Sequence, residues 1–244
     1  MKIYGINPIK EALRITPPII ERIFIARNIC GDTAEIEQGA KRLKIPVEYK
    51  EKTYLKTLLG EESHQGIVGI CREFGYTPFD DIVTEMAMKE IALLLVLDEI
   101  TDPQNLGAAI RSAHCCGANG IIIPEKRSCP VTPSVIKASA GAVFFTKIAR
   151  VTNLAKTIDT LKENGFWIYG SVATGGEDIR HMSFTDKTAM VMGSEGTGMR
   201  KLVTEKCDFL VSIPMMGQVD SLNVSVATGI AVHEIQSWFH KKAI

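Results

Sequence analysis

Asn105, Arg111 and Asn223 of this 244-residue sequence stand where loops run into expected helices, positions from which polar side chains can reach a ligand. Asn105 and Arg111 stand six residues apart at the start of an expected helix, Ala108 to Cys116, behind the turn Asp98-Glu99-Ile100-Thr101-Asp102-Pro103-Gln104-Asn105-Leu106-Gly107. An arginine's planar fork can grip a phosphate or an oxyanion, and a helix N-terminus favours anions. The bland alternative is that Asn105 caps the helix and Arg111 is a surface cation. Glu195 lies in Gly193-Ser194-Glu195-Gly196-Thr197-Gly198, where three glycines permit close backbone approach. The spacing is GxxGxG, not the GxGxxG dinucleotide fingerprint, and the sequence contains no Gly-Lys-Ser/Thr phosphate loop. Nicotinamide dehydrogenases, kinases and GTPases therefore lose their main support. The third stretch runs from Ile213-Pro214-Met215 to Ser221-Leu222-Asn223-Val224, a strand end, a loop and a helix start. Ser221 is placed to cap that helix, which leaves Asn223 inside a first turn where asparagine has no propensity advantage. A ligand contact would explain it.

All three loops must be presented by something rigid. Apolar strands are expected at Leu93–Leu97, Gly120–Ile123, Lys147–Val151, Phe166–Val172, Ala189–Met192 and Phe209–Ile213, alternating with helical segments. That alternation predicts an α/β fold with a mainly parallel sheet, and ligands of such sheets bind beyond the carboxyl ends of the strands. The first 73 residues read as a smaller α/β unit, with a helix from Asn7-Pro8 to Leu13, a strand Arg22–Ala26, a helix Thr33–Leu43, a strand Ile45–Tyr49 and a closing strand in His64–Ile70. Residues 74–90 read as linker and boundary, since Gly75, Pro78 and paired aspartates open them, and 91–244 as the second domain.

Composition places the chain among ordinary globular proteins: 45% hydrophobic, 23% charged. Lysine plus arginine balances aspartate plus glutamate, 28 against 28, so a nucleic-acid contact would rest on local clusters such as Lys41-Arg42-Leu43-Lys44. The longest apolar run, Ile91–Leu97, is too short for a bilayer, and Met1-Lys2-Ile3-Tyr4 opens no signal-peptide pattern, which predicts a cytoplasmic protein without membrane association. The six cysteines form no CxxC pair and none has histidines at zinc-ligand spacing, so free thiols and no metal are expected.

In this order, Asp102-Pro103-Gln104-Asn105-Leu106-Gly107 with Arg111-Ser112-Ala113, then Met192-Gly193-Ser194-Glu195-Gly196, then Ile213-Pro214-Met215 through Ser221-Leu222-Asn223-Val224-Ser225-Val226-Ala227, resemble the three motifs of the SpoU-type branch of the SPOUT RNA methyltransferases. Tyr4-Gly5-Ile6-Asn7-Pro8 with Glu11-Ala12-Leu13, and His64-Gln65-Gly66-Ile67-Val68, resemble the L30e-like substrate-binding domain of bacterial enzymes that methylate a guanosine ribose of 23S rRNA. The resemblance implies a sheet tied into a trefoil knot, S-adenosylmethionine held there by Gly193, Ile213, Met215, Ser221 and Leu222, and a homodimer whose sites are completed by both subunits. It implies that Arg111 carries the chemistry, with Asn105, Glu195 and Asn223 orienting it, the nucleotide and the cofactor. A guanidinium keeps its proton at ordinary pH, so Arg111 fits phosphate binding and alkoxide stabilisation better than general-base duty. Asp98 and Asp102 read as loop-shaping residues. The rival readings are a tRNA ribose methyltransferase and a non-catalytic RNA-binding protein on the same fold; an ordinary dinucleotide oxidoreductase lacks its fingerprint.

Overall fold

A computed structural model of the protein describes residues 1–29, 33–60 and 65–242. His64 and Cys30 lie outside the described residues. The chain divides into two compact units, one of Met1–Gly75 with Val131–Phe145, the other of Tyr76–Pro130 with Thr146–Ile244.

The first unit is a four-stranded sheet of β1 (Lys2–Tyr4), β2 (Ile20–Ala26), β3 (Val47–Lys50) and β4 (Ile67–Cys71), in the order β1-β4-β2-β3. Only the β2–β3 pair is parallel. Three helices, α1 (Ile6–Ala12), α2 (Ala34–Arg42) and α3 (Lys52–Leu59), connect these strands. Side chains of a strand alternate faces. Ile9 of α1 reaches Gly69 on one face, while Leu55 of α3 joins Phe24, Ala26 and Val68 on the other. Helix α3 was not expected from the sequence.

Residues 131–145 lie inside the stretch expected to be one catalytic domain, yet they pack with this first unit. Ser134 Oγ is 3.2 Å from Tyr4 OH, and Gly141, at φ +90°, sits where a Cβ would collide with Glu11. They supply α4 (Pro133–Ala138), capped by Thr132, and a 3-10 turn over Ala142–Phe145.

The second unit is a wholly parallel seven-stranded sheet: β5 (Ala92–Leu97), β6 (Gly120–Pro124), β7 (Ile148–Val151), β8 (Trp167–Ser171), β9 (Glu177–Asp178), β10 (Lys187–Met192) and β11 (Phe209–Ser212). Its order is β7-β6-β5-β10-β8-β11-β9. Every residue of β5 is buried, as expected of a strand covered on both faces. Helix α5 (Phe79–Ala87) falls in the segment read as linker: Ile82, Val83 and Met86 at i, i+1 and i+4 give it an apolar stripe that joins the core under Leu94 and Val96. Pro78 and Gly75 mark the boundary only up to residue 78. The remaining helices are α6 (Pro103–Cys115), α7 (Leu154–Glu163), α8 (Lys201–Glu205) and α9 (Val224–Lys242). Among the described residues no helix is long and apolar enough to cross a membrane.

Candidate active site

The loops that follow β5, β10 and β11 meet at the carboxyl end of the sheet. Beside them is a cavity of about 290 Å³. Its walls include Gly193, Ile213, Met215, Ser221 and Leu222, together with Glu195, Val172 and Ala227. Of these, Glu195 was expected in the site but not as cavity wall, and Val172 and Ala227 were not singled out by the sequence. The size is at the lower edge of the range for small-molecule sites, about 300–1,000 Å³.

The glycine loop closes on itself. Ser194 and Gly198 exchange backbone hydrogen bonds, N–H to O, at 3.0 Å each way. Ser194 Oγ and Thr197 Oγ1 are 2.6 Å apart across the turn. Gly196 and Gly198 have φ of +89° and +69°, the left-handed region that a Cβ disfavours. Gly193 is required for a different reason: a Cβ there would collide with the backbone of Gly198 and Met199. The backbone is thus exposed along the cavity wall, the arrangement by which main-chain groups can hold a flat ligand.

The third loop corrects the sequence reading of its helix start. Asn223, not Ser221, is the residue that precedes α9, and its Oδ1 accepts from Ser225 N at 3.0 Å and from Ser225 Oγ at 2.6 Å. Capping uses only the amide oxygen. The Nδ2 group remains to donate to Asn105 Oδ1 at 2.8 Å and to Glu195 Oε2 at 3.3 Å. Asn105 Nδ2 donates to the same Glu195 oxygen at 3.3 Å. The three polar residues selected from three separate loops therefore form one hydrogen-bonded triangle. Ser221 is exposed and lines the cavity instead.

Asn105 does not cap its helix either. Asp102 does, accepting from Gln104 N at 3.0 Å, with Pro103 at the first helical position. This starts α6 five residues earlier than expected and frees the Asn105 side chain for the triangle.

Sequence reasoning set Asp98 aside as loop structure, and it proves to be the fully buried anchor behind the site. Its Oδ2 accepts from Arg200 N at 2.9 Å and its Oδ1 from Arg200 Nε at 2.8 Å. The Arg200 fork also reaches Glu99, 3.6 Å away, which Arg127 holds at 3.3 Å. Glu99 is in the left-handed region, φ +59°, a strained setting that the surrounding ion pairs fix. The end of the glycine loop is thereby tied to the end of β5. A carboxylate directly after a buried strand was the available signal; its arginine, 102 residues on, was not visible in the pattern.

Arg111 is the expected site residue that the structure does not bring into this cluster. Leu106, Ala109, Ile110 and Ala113 make the buried face of α6, and Arg111 stands exposed on its outward side. Among the described residues it forms no hydrogen bond or ion pair. Nor is any group of three or more His, Cys, Asp and Glu side chains placed among them to hold a metal ion.

Residues 92–233 match the SpoU rRNA Methylase family, and residues 2–77 match the RNA 2′-O ribose methyltransferase substrate-binding domain. The chain belongs to the SpoU methylase family. It is thereby an RNA methyltransferase of the SpoU/TrmH type. A TrmH-family tRNA/rRNA methyltransferase homologue of Staphylococcus aureus (strain MSSA476) is 42% identical over 235 residues, covering 96% of this chain and 94% of its own. An rRNA methyltransferase from Sinorhizobium meliloti, solved with AdoMet bound, superposes with a TM-score of 0.79 at 27% identity, covering 97% of this chain and 86% of that one. The SpoU methyltransferase AviRb from Streptomyces viridochromogenes, solved in complex with AdoMet, shares the fold at a TM-score of 0.81 and 23% identity, over 99% and 91% of the two chains.

Proposed function

We propose that the protein transfers a methyl group from S-adenosylmethionine to the ribose 2′-hydroxyl of one nucleotide, a guanosine of 23S rRNA, and does so as a homodimer with knotted catalytic domains. The observation that carries this reading is the Asn105–Glu195–Asn223 triangle set against a cavity walled by Gly193, Ile213, Met215, Ser221 and Leu222.

The cavity suits the cofactor. Ile213, Leu222 and Ala227 give apolar surface for an adenine, and the exposed backbone at Gly193 and beyond offers donors and acceptors for its edge and ribose. When bound, S-adenosylmethionine supplies an electrophilic methyl carbon on a sulfonium. The protein's own tasks are positioning and charge. Asn105 and Asn223 have their amides fixed by one another, so they meet a nucleotide already oriented, and such positioning can account for several kcal/mol of barrier reduction. Glu195 places carboxyl oxygens on the wall of the cavity, able to take a hydrogen bond from a hydroxyl or amino group.

Arg111 binds the phosphate next to the target ribose and stabilises the alkoxide that forms as the proton leaves. Its solitary, outward position on α6 suits delivery to the site of the opposite protomer. Met216, Val219 and Val226, which are 94%, 73% and 50% exposed around the third loop and the start of α9, suit a face covered by a second copy.

A tRNA target is the second reading, favoured by the naming of the Staphylococcus relative for both RNAs. Incubation with labelled S-adenosylmethionine and, separately, unmodified 23S rRNA and tRNA transcripts decides between them. An alkali-resistant dinucleotide carrying a 2′-O-methylguanosine from the rRNA is the expected product; label only in tRNA reassigns the substrate, and label in neither supports an RNA-binding protein without activity.

A further inference from the structure

In the first unit, α1 and α2 are held close because Gly39 has no side chain: a Cβ there would meet Leu13 Cδ1 at 3.2 Å. Between the two helices runs an open groove of about 530 Å³. Glu35, Gln38, Gly39 and Arg42 follow the i, i+3, i+4, i+7 pattern of one helix face, and all four line it. Lys10 and Arg14 line it from the α1 side.

We infer that this groove is a phosphate-binding track for the RNA substrate, with Arg42, Lys10 and Arg14 as its cations and Gln38 as a neutral donor between them. The charge pattern supports this. Glu35 is bound by Lys10 at 2.7 Å and approached by Arg14 at 3.4 Å, while Glu11 holds Arg14 at 3.1 Å. The carboxylates hold two cations in place along the groove, and Arg42 is exposed with no ion pair among the described residues. Arg42 lies seven positions beyond Glu35, about 10 Å along α2, a span longer than a single phosphate needs and close to that of two successive phosphates of one strand. Among the described residues no aromatic ring lines the groove. Contact is therefore to the backbone, which positions the RNA, while bases are read elsewhere. The overall charge balance fits a local track rather than a global basic field.

The inference relies on the methyltransferase reading only for the identity of the nucleic acid. Its test is the salt dependence of binding to 23S rRNA and tRNA transcripts, measured for the whole protein, for Arg42→Glu, for Arg42→Gln and for Lys56→Glu. Lys56 is exposed on α3, across the sheet from α1 and α2, and its reversal changes net charge by the same amount. The expected result is that Arg42→Glu weakens binding by about fivefold or more and lowers the slope of log K against log salt by about one. Arg42→Gln gives the same slope change with a smaller loss, and Lys56→Glu stays within about twofold of wild type, all with an unchanged circular dichroism spectrum. Equal effects of Arg42→Glu and Lys56→Glu, or an unchanged slope in the Arg42 variants, would overturn the groove. Methyl incorporation by the wild type is read in parallel: no transfer to either transcript sinks the methyltransferase reading and leaves the slope comparison to decide the groove independently.

Discussion

The Asn223 side chain donates to the Asn105 carbonyl oxygen at 2.8 Å, joining two loops 118 residues apart in the sequence. The same residue starts α9 through its amide oxygen. One side chain thus has two separable duties.

Asn223→Ser separates them. Serine still caps, so the thermal midpoint should stay close to wild type, whereas Asn223→Ala loses the cap at a cost of about 0.5–2 kcal/mol. Both lose the bonds to Asn105 and Glu195, and methyl transfer should fall at least about tenfold in each. A serine variant with full activity, measured by label incorporation, removes the triangle from the mechanism.

Arg111→Lys keeps the charge and discards the fork. Because Arg111 is exposed and unpaired among the described residues, its replacement should leave the melting curve unchanged while activity drops about a hundredfold, the scale of one lost oxyanion donor. Near wild-type turnover would show that any cation serves there.

The Asp98–Arg200 pair should act on the cofactor rather than on RNA. Arg200→Ala leaves a buried carboxylate unpaired, a loss on the order of 3 kcal/mol, at the low end of the range because the arginine is one-third exposed. Asp98→Asn is milder for stability, yet it loosens the end of the glycine loop. Isothermal titration with S-adenosylmethionine should show weaker binding by Asp98→Asn while RNA affinity is unaltered; equal weakening of both would point to general unfolding.

Gly193→Ala and Gly196→Ala distinguish space from conformation. At Gly193 the new Cβ meets backbone, which must move, so cofactor binding should be abolished. At Gly196 the surroundings are open and only the positive φ is strained, a cost of about 1 kcal/mol that leaves binding measurable. The same titration compares them.

Burial pushes the Cys71 and Cys207 thiols up to about 12 from an ordinary value of 9.0. A folded-state pKa above the unfolded one means that their contribution is present below pH 9 and is lost as pH rises toward 12, because only the unfolded chain ionises in that window. Each should lower stability by up to about 1.4 kcal/mol per pH unit there. Melting midpoints between pH 9 and 11 should fall less steeply in a Cys71→Ala, Cys207→Ala double variant. At pH 8 iodoacetamide should label exposed Cys115 in the folded protein and Cys71 only after denaturation.

Six of the seven strands of the large sheet were legible because runs such as Leu93–Leu97 are buried on both faces, and their carboxyl ends pointed to the loops that matter, whereas the two-residue β9 was not. The triangle's members were legible as residue types. Which residues cap the two helices was not: a shift of a few residues in a helix start moves the cap from Asn105 to Asp102 and from Ser221 to Asn223, and helix ends are the least constrained part of a pattern. Helix α3 was hidden because its single buried anchor, Leu55, acquires meaning only against Phe24 and Val68. Asp98 was visible, but its partner was fixed by tertiary structure alone.

The membership of residues 131–145 in the first unit bears on how the protein is made. The amino-terminal sheet emerges from the ribosome before the segment that covers Tyr4 and Glu11, and β5 and β6 of the other unit are translated in between. A nascent chain stopped at residue 75 therefore carries all four strands and an uncovered flank. That unit reaches its final packing only once about 70 further residues have been synthesised, so the order of translation and the order of folding part company in this molecule.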